Sequence, residues 1–164
     1  MLDIDALFND ITEKQLDDIL RTGENDQIEF KEKTPSVLDL AKQVSAFANT
    51  SGGVIVVGAR EQKPQILFSG LNRTIDPVFD QVAQRVRPLP PIQMHRVNYK
   101  GVAVPVIVVK RQPNELVVSD AGAFARIGES TQPMASSQVL EILHKEPQNT
   151  REARSADEIS RLTT

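Results

Sequence analysis

The sequence predicts an α+β fold, an α/β sandwich in which one mixed β-sheet is flanked by helices. Three observations carry that expectation. Ile28 and Phe30 alternate with Glu29 and Lys31, the two-residue period of a half-buried strand. Val37, Leu40, Ala41, Val44, Phe47 and Ala48 fall on one stripe of a helix, opened by Ser36 with Asp39 three residues later as a capping-box variant. Gly52-Gly53 then lets the chain reverse into Val54-Ile55-Val56-Val57-Gly58, whose unbroken aliphatic run suggests burial on both faces.

The remaining elements follow in order. The first twenty-odd residues read as helical: Thr12 can cap a helix with Leu16, Ile19 and Leu20 on one face, ended by Gly23. Asp76-Pro77 starts another helix, Asp as cap and Pro in the first turn, with Val78, Phe79, Val82 and Val86 as its buried face. Arg87-Pro88 through Pro90-Pro91 ends it. A hairpin comes next, Ile92 to Asn98, a turn at Tyr99-Lys100-Gly101, then Val102 to Val109. Pro105 lacks a backbone donor, which points to an edge strand or a bulge at that position. Leu116 to Val118 and Ala123 to Ile127 read as two short strands. Ser136 or Ser137 caps a last helix through Val139, Leu140, Ile142 and Leu143. The expected organisation is a helical segment 1–22, a core domain 23–146, and a polar stretch 147–164 that is a tail or the start of a further module.

The length of 164 residues fits one domain with a real core, and with no Trp that core is built from Val, Ile, Leu and Ala. The absence of Cys excludes disulfides and thiolate metal sites. No signal-like opening is visible, and no aliphatic stretch is long enough for a bilayer, so no membrane association and a cytoplasmic location are expected. Charge is unevenly spread. Residues 1–32 hold three basic and ten acidic residues, 33–111 eleven and four, and 112–164 five and eight. A basic middle between acidic ends fits a local phosphate-binding face, and equally the ordinary fluctuation of surface charge.

Four chemistries can be weighed. Nucleotide binding fails on order: phosphate-cradling glycines follow a strand and precede a helix, whereas Gly52 and Gly53 follow a helix and precede a strand, so ATP is not expected. Nucleophilic catalysis has no Cys, and no nucleophile pattern lies near His95 or His144. Glu24, Glu29 and Glu61 are three carboxylates near one sheet edge, read either as oxygen ligands of a hard divalent cation or as solvated surface acids. Glu24 and Glu29 can share an ion only if Glu24-Asn25-Asp26 bends, since five residues of strand span roughly 16 Å. Phosphate-backbone binding draws on Lys31, on the cations of the basic block, Lys33, Arg60 and Arg73 among them, and on Arg126. Asn49, Thr50, Gly52 and Gly53 offer side-chain and main-chain donors, or else form a corner needed for conformation alone. Few aromatics argue against base stacking and for backbone-directed contact.

Glu24-x-x-x-x-Glu29-Phe30-Lys31, the string Ser45-Ala46-Phe47-Ala48-Asn49-Thr50-x-Gly52-Gly53, the strand closed by Gly58, and Phe124-x-Arg126-Ile127-Gly128-x-Ser130 through Ala135 together resemble the Schlafen-type divergent Alba domain. The likeness covers about residues 20–145. It implies an Alba-like α/β core that binds nucleic acid, most often described as DNA-binding and found in bacterial and archaeal transcriptional regulators and in defence-type Schlafen proteins. In some Schlafen proteins the domain, duplicated in one chain, is similar to a metal-dependent endoribonuclease acting on structured RNA such as transfer RNA. There two acids come from the Glu-x-x-x-x-Glu-Phe-Lys segment and a third is an Asp just after the strand-closing glycine. Glu24 and Glu29 occupy the first two places; after Gly58 this chain has Ala59, Arg60 and Glu61 instead. The resemblance implies a DNA- or RNA-binding domain, and together with the cations and donors above the expectation is backbone contact, with no cofactor, through Lys31, Lys33, Asn49, Thr50, Gly52, Gly53, Arg60 and Arg126. The alternative is a nuclease using Glu24, Glu29 and Glu61 with Mg²⁺ or Mn²⁺. A single copy implies a homodimer.

Overall fold

The computed structural model describes residues 1–62, 65–68 and 75–144. Helices α1 (Ile4–Asn9) and α2 (Glu13–Thr22) precede strand β1 (Ile28–Lys31), helix α3 (Val37–Ala48) and strand β2 (Gly53–Val57). A short hairpin, β3 (Ala59–Gln62) and β4 (Gln65–Phe68), leads to helix α4 (Ile75–Val82) and strand β5 (Val86–Arg87). The chain continues through β6 (Ile92–Tyr99), β7 (Val102–Val109), β8 (Val118–Ser119), β9 (Gly122–Ile127) and β10 (Ser130–Pro133), then a helix over 136–144, α5.

The main sheet has the order β1-β2-β7-β6, with β1 and β2 parallel and the other pairs antiparallel. It is therefore mixed, and α3 is the crossover between its two parallel strands. Alternation along β2 and β7 divides the core. Val54, Val56, Val104, Val106 and Val108 pack with Leu7, Leu16, Ile19 and Leu20 of the N-terminal helices. Ile55, Val57, Ile107 and Val109 pack with Leu40, Val44 and Phe47 of α3 and with Ile75 and Val82 of α4. Each fully buried aliphatic side chain contributes about 1.5–3 kcal/mol, so a sheet covered on both faces needs no aromatic core. A second sheet, β10-β9-β8-β5, lies on the other side of α3. That helix is thus wedged between sheets, and eight successive or near-successive residues, Leu40 to Ala48 apart from Lys42, are buried.

Several local expectations hold. Thr12 and Gln15 form a full capping box, Gly23 ends α2, and the Ser36 hydroxyl accepts from Asp39 N at 3.0 Å. Others need correction. The N-terminal helical segment is two helices, because Asp10 and Ile11 leave helical geometry before Thr12 starts the second. Asp76 lies inside the first turn of α4 rather than before it, and Val86 belongs to β5, paired with Ser119. Helix α5 begins at Ser136 with Ala135 in the capping place: Ala135 N donates to Gln138 Oε1 at 2.8 Å, half of a capping box.

Pro105 stands in a central strand, neither at an edge nor in a bulge. Counting from the Tyr99–Val102 pair that closes the two-residue turn, the Pro105–Arg96 pair is one of the non-hydrogen-bonded kind. The missing donor therefore faces the β2 side, where pairing with β7 stops at Val106. Arg73 and the segment 147–164 lie outside the described residues.

Candidate functional site

The chain between α2 and β1 is a tight bend. Asn25 N donates to Ile28 O at 3.1 Å, and Gln27 N donates to Asn25 Oδ1 at 2.8 Å. This is the bend that lets a carboxylate at 24 and one at 29 approach each other. Glu24 folds back over it, its Oε1 accepting from Phe30 N at 3.0 Å. Glu61, on β3, turns towards the same place: its Oε2 accepts from Glu24 N at 3.0 Å, and its carboxylate lies over the open face of Gly23.

A third carboxylate comes from a part of the chain that the sequence did not single out. Ile127 pairs with Ser130, so Gly128 and Glu129 form the two-residue turn between β9 and β10. One carboxylate oxygen from each of Glu24, Glu61 and Glu129 lies within 4.8 Å of the others. Burial pushes the Glu24 carboxyl above the usual glutamate range, and the charges of Glu29 and Glu61 add to this; the Phe30 N–H and Arg126 oppose it. Three carboxylate oxygens this close are hard ligands of the kind a divalent cation such as Mg²⁺ or Mn²⁺ accepts. No local pattern marks Glu129. Only the passage of β9 beside the β1 bend brings it there.

Glu29 is held differently. Its carboxylate pairs with Arg126 and lies 3.8 Å from Lys31 Nζ, which is itself 3.0 Å from Asp39. The Arg126 side chain has no solvent exposure. Nε donates to Asn25 O at 3.1 Å, one terminal nitrogen to Ile28 O at 2.8 Å, and the other to Glu29 and, at 3.1 Å, to Thr131 Oγ1. The guanidinium sits over the Phe47 ring, 5.1 Å from its centroid. Arg126, grouped by sequence with the phosphate contacts, is an internal tie between β9 and the bend.

The Asn49–Gly53 corner is likewise filled from within. The Asn49 amide donates to Val117 O at 2.8 Å and Phe124 O at 3.0 Å, and its carbonyl accepts from Val117 N at 2.8 Å. Thr50 Oγ1 donates to Ala46 O at 2.8 Å and accepts from Arg126 N at 3.0 Å. Gly52 has φ +70°, and a Cβ there would lie 2.9 Å from Val109 O; one on Gly53 would strike the Phe47 ring. Among the described residues, no buried side-chain nitrogen or oxygen lacks a partner. The corner thus joins α3 to both sheets.

Lys31 ends β1, Lys33 follows two residues later, and Arg60 of β3 reaches Glu32 between them in sequence. Lys33 is exposed, and Arg60 extends to Glu32 at 3.5 Å, away from the carboxylates. His95 contacts Phe8 O at 2.9 Å and His144 is exposed on α5; neither approaches the cluster of glutamates. No helix among the described residues is long and apolar enough to cross a membrane.

The structure is similar to that of the DIP2311 protein from Corynebacterium diphtheriae, with a TM-score of 0.52 and 23% identity over 74% of this chain. The chain spans 29% of that protein's length, and the likeness concerns the fold alone. No curated protein matches the chain. The family model described as Schlafen, AlbA_2 matches residues 24–135, which takes in the bend, the glycine corner and the β9–β10 turn. On that match, the chain belongs to the Schlafen AlbA_2 family.

Proposed function

We propose that this domain binds nucleic acid through the phosphate backbone, with DNA as its principal partner, in the manner of a transcriptional regulator or defence-type protein. The observation that carries the reading is the run of Lys31 and Lys33 at the end of β1, with Arg60 of β3 reaching Glu32 between them in sequence, within a fold whose family is nucleic-acid-related. The Arg60–Glu32 pair is about half exposed and worth about 0–1 kcal/mol, so phosphate oxygens can replace that partner, and Lys33 is exposed beside it. Asn49, Thr50, Gly52, Gly53 and Arg126 act from beneath, fixing the bend and β9. A homodimer would present two such faces to one duplex. Mobility-shift titrations with duplex DNA and with transfer RNA, in EDTA across a range of salt, test the reading. Steeply salt-dependent retardation supports it, and retardation of neither at low salt rejects it.

A second reading is favoured by the convergence of Glu24 and Glu61 with Glu129. Next to three carboxylates a phosphodiester is repelled unless a cation intervenes. Mg²⁺ or Mn²⁺ held there would both draw in the backbone and supply the Lewis acid of a metal-dependent nuclease. Of the three acids the sequence suggested, Glu24 and Glu61 face that position and Glu29 faces Arg126. Cleavage of transfer RNA or DNA with added Mn²⁺, abolished in Glu24→Gln while retardation in EDTA persists, separates enzyme from binder.

A further inference from the structure

The main sheet closes one of its edges and leaves the other open. At β1 the outward backbone groups are taken by side chains: Glu24 Oε1 accepts from Phe30 N at 3.0 Å, and Arg126 donates to Ile28 O at 2.8 Å. Strand β6, at the opposite edge, is paired on one side only. Pro91 O accepts from Lys110 N, so the odd-numbered residues here face β7, and Ile92, Met94, Arg96 and Asn98 turn their backbone donors and acceptors outward. Among the described residues no hydrogen bond reaches those backbone groups. The devices that ordinarily blunt an edge are missing as well. All eight residues of β6 pair with β7 one for one, without a bulge, and the strand holds neither Pro nor Lys. Its one Arg, Arg96, is paired with Asp76 of α4. The edges of the second sheet differ: β5 has two residues, and β10 has four and ends in Pro133.

We propose that β6 is the docking edge for a second copy of this chain, which adds its own β6 antiparallel and joins the two four-stranded main sheets into one across a two-fold axis. The proposal gives a surface to the homodimer raised above and needs no nucleic acid. A second copy suits the edge because the strand is its own complement. Outward residues bond only to outward residues, so two symmetric registers centre on the strand. With His95 on the axis, Met94 faces the partner subunit's Arg96, Ile92 faces the partner subunit's Asn98, and all four outward residues are used. With Arg96 on the axis, that residue would face its own copy, like charge directly opposite like, and Ile92 would fall opposite Lys100 in the turn, beyond the strand. The register centred on His95 is the one that forms.

The test uses the full chain without nucleic acid. Sedimentation equilibrium is expected to show a monomer–dimer equilibrium. Amide exchange followed by NMR is expected to slow at Met94, Arg96 and Asn98 as the dimer fills, and to stay constant at Phe30, whose N–H is already bonded. Met94→Lys and Met94→Glu remove the same half-buried side chain but bring opposite charges to the partner subunit's Arg96. In folded protein, the dissociation constant of Met94→Lys is expected to exceed that of Met94→Glu by about tenfold, a like-charged against an opposite-charged cross-strand pair on each side of the axis. A chain that stays monomeric at the concentrations NMR requires overturns the proposal. So does a dimer in which exchange at those three amides is independent of concentration, or in which the two variants dissociate equally, since another surface or register would then be in use. Where neither variant folds, the exchange measurement on the wild type decides alone. Retardation of DNA by a chain that never dimerises would sink this proposal and leave the nucleic-acid reading standing.

Discussion

The ring of Phe47 occupies the space beside Gly53 where any other residue would carry its Cβ, which would lie 2.3 Å from Cδ1 of that ring. Phe47 is fully buried, and the Arg126 guanidinium lies over the same ring. A methyl group at 53 must therefore displace an aromatic side chain that has nowhere to go. Gly53→Ala is expected to lower stability by about 3 kcal/mol, the upper range for overpacking, read as a lower midpoint in urea unfolding. An unchanged midpoint would mean that Phe47 has room to rotate.

The same pair of residues marks how far one dimension can be read. The Ala-Phe-Ala-Asn-Thr-x-Gly-Gly string was legible as a helix, a corner and a strand because periodicity, capping and glycine are local. Its purpose was not. Asn and Thr beside two glycines look like free donors, yet their partners are Val117, Phe124 and Arg126, some seventy residues further on. Pro105 misled for the same reason: the rule that confines proline to edges concerns a donor that must be paired, and here the pairing between β7 and its neighbour β2 has already ended. Glu24 and Glu61 could be named in advance because the charge and spacing around one bend and one strand are themselves sequence facts. Glu129 needed the topology.

Asn49 offers a sharper division between a structural role and a role in binding. Removing its amide leaves Val117 N without its acceptor and takes a donor from Phe124 O, while Val117 O keeps the Ser45 hydroxyl. Asn49→Ala is expected to cost about 3 kcal/mol, on the scale of more than one unsatisfied buried group. In protein that remains folded, the salt dependence of nucleic-acid binding should stay as in wild type. Intact stability with a shallower salt slope would return Asn49 to the nucleic-acid face.

Glu24 gives a pH signature. Its folded carboxyl titrates above the ordinary glutamate value, first through burial and then through the charges of Glu29 and Glu61. Between those two values the folded chain holds a proton that the unfolded chain has released, so this residue's contribution to stability falls as pH rises through the folded pKa. Glu24→Gln removes the charge and keeps an acceptor for Phe30 N. It should melt higher than wild type at neutral pH without added metal, and the difference should vanish below about pH 3, where both states carry the proton. A wild type that melts above the variant at pH 7 in EDTA would contradict the assignment.

The cations at the end of β1 are tested by slope rather than by affinity alone. Arg60 and its partner Glu32 are each about half exposed, at 48% and 43%, and their 3.5 Å pair holds Arg60 only weakly. Lys33 is exposed two residues beyond β1. Each side-chain charge that neutralises a phosphate of duplex DNA adds about 0.9 to the steepness of log K against log salt. Arg60→Gln and Lys33→Gln should therefore each flatten the slope by nearly one, and the double variant by nearly two. Arg85, paired with Asp120 at 3.0 Å beside the β5–β8 pair of the other sheet, supplies the control: Arg85→Gln lowers the net charge equally and should leave the slope unchanged. Equal flattening by all three substitutions would show that only the overall charge is felt, and the β1 end would no longer stand as the nucleic-acid face.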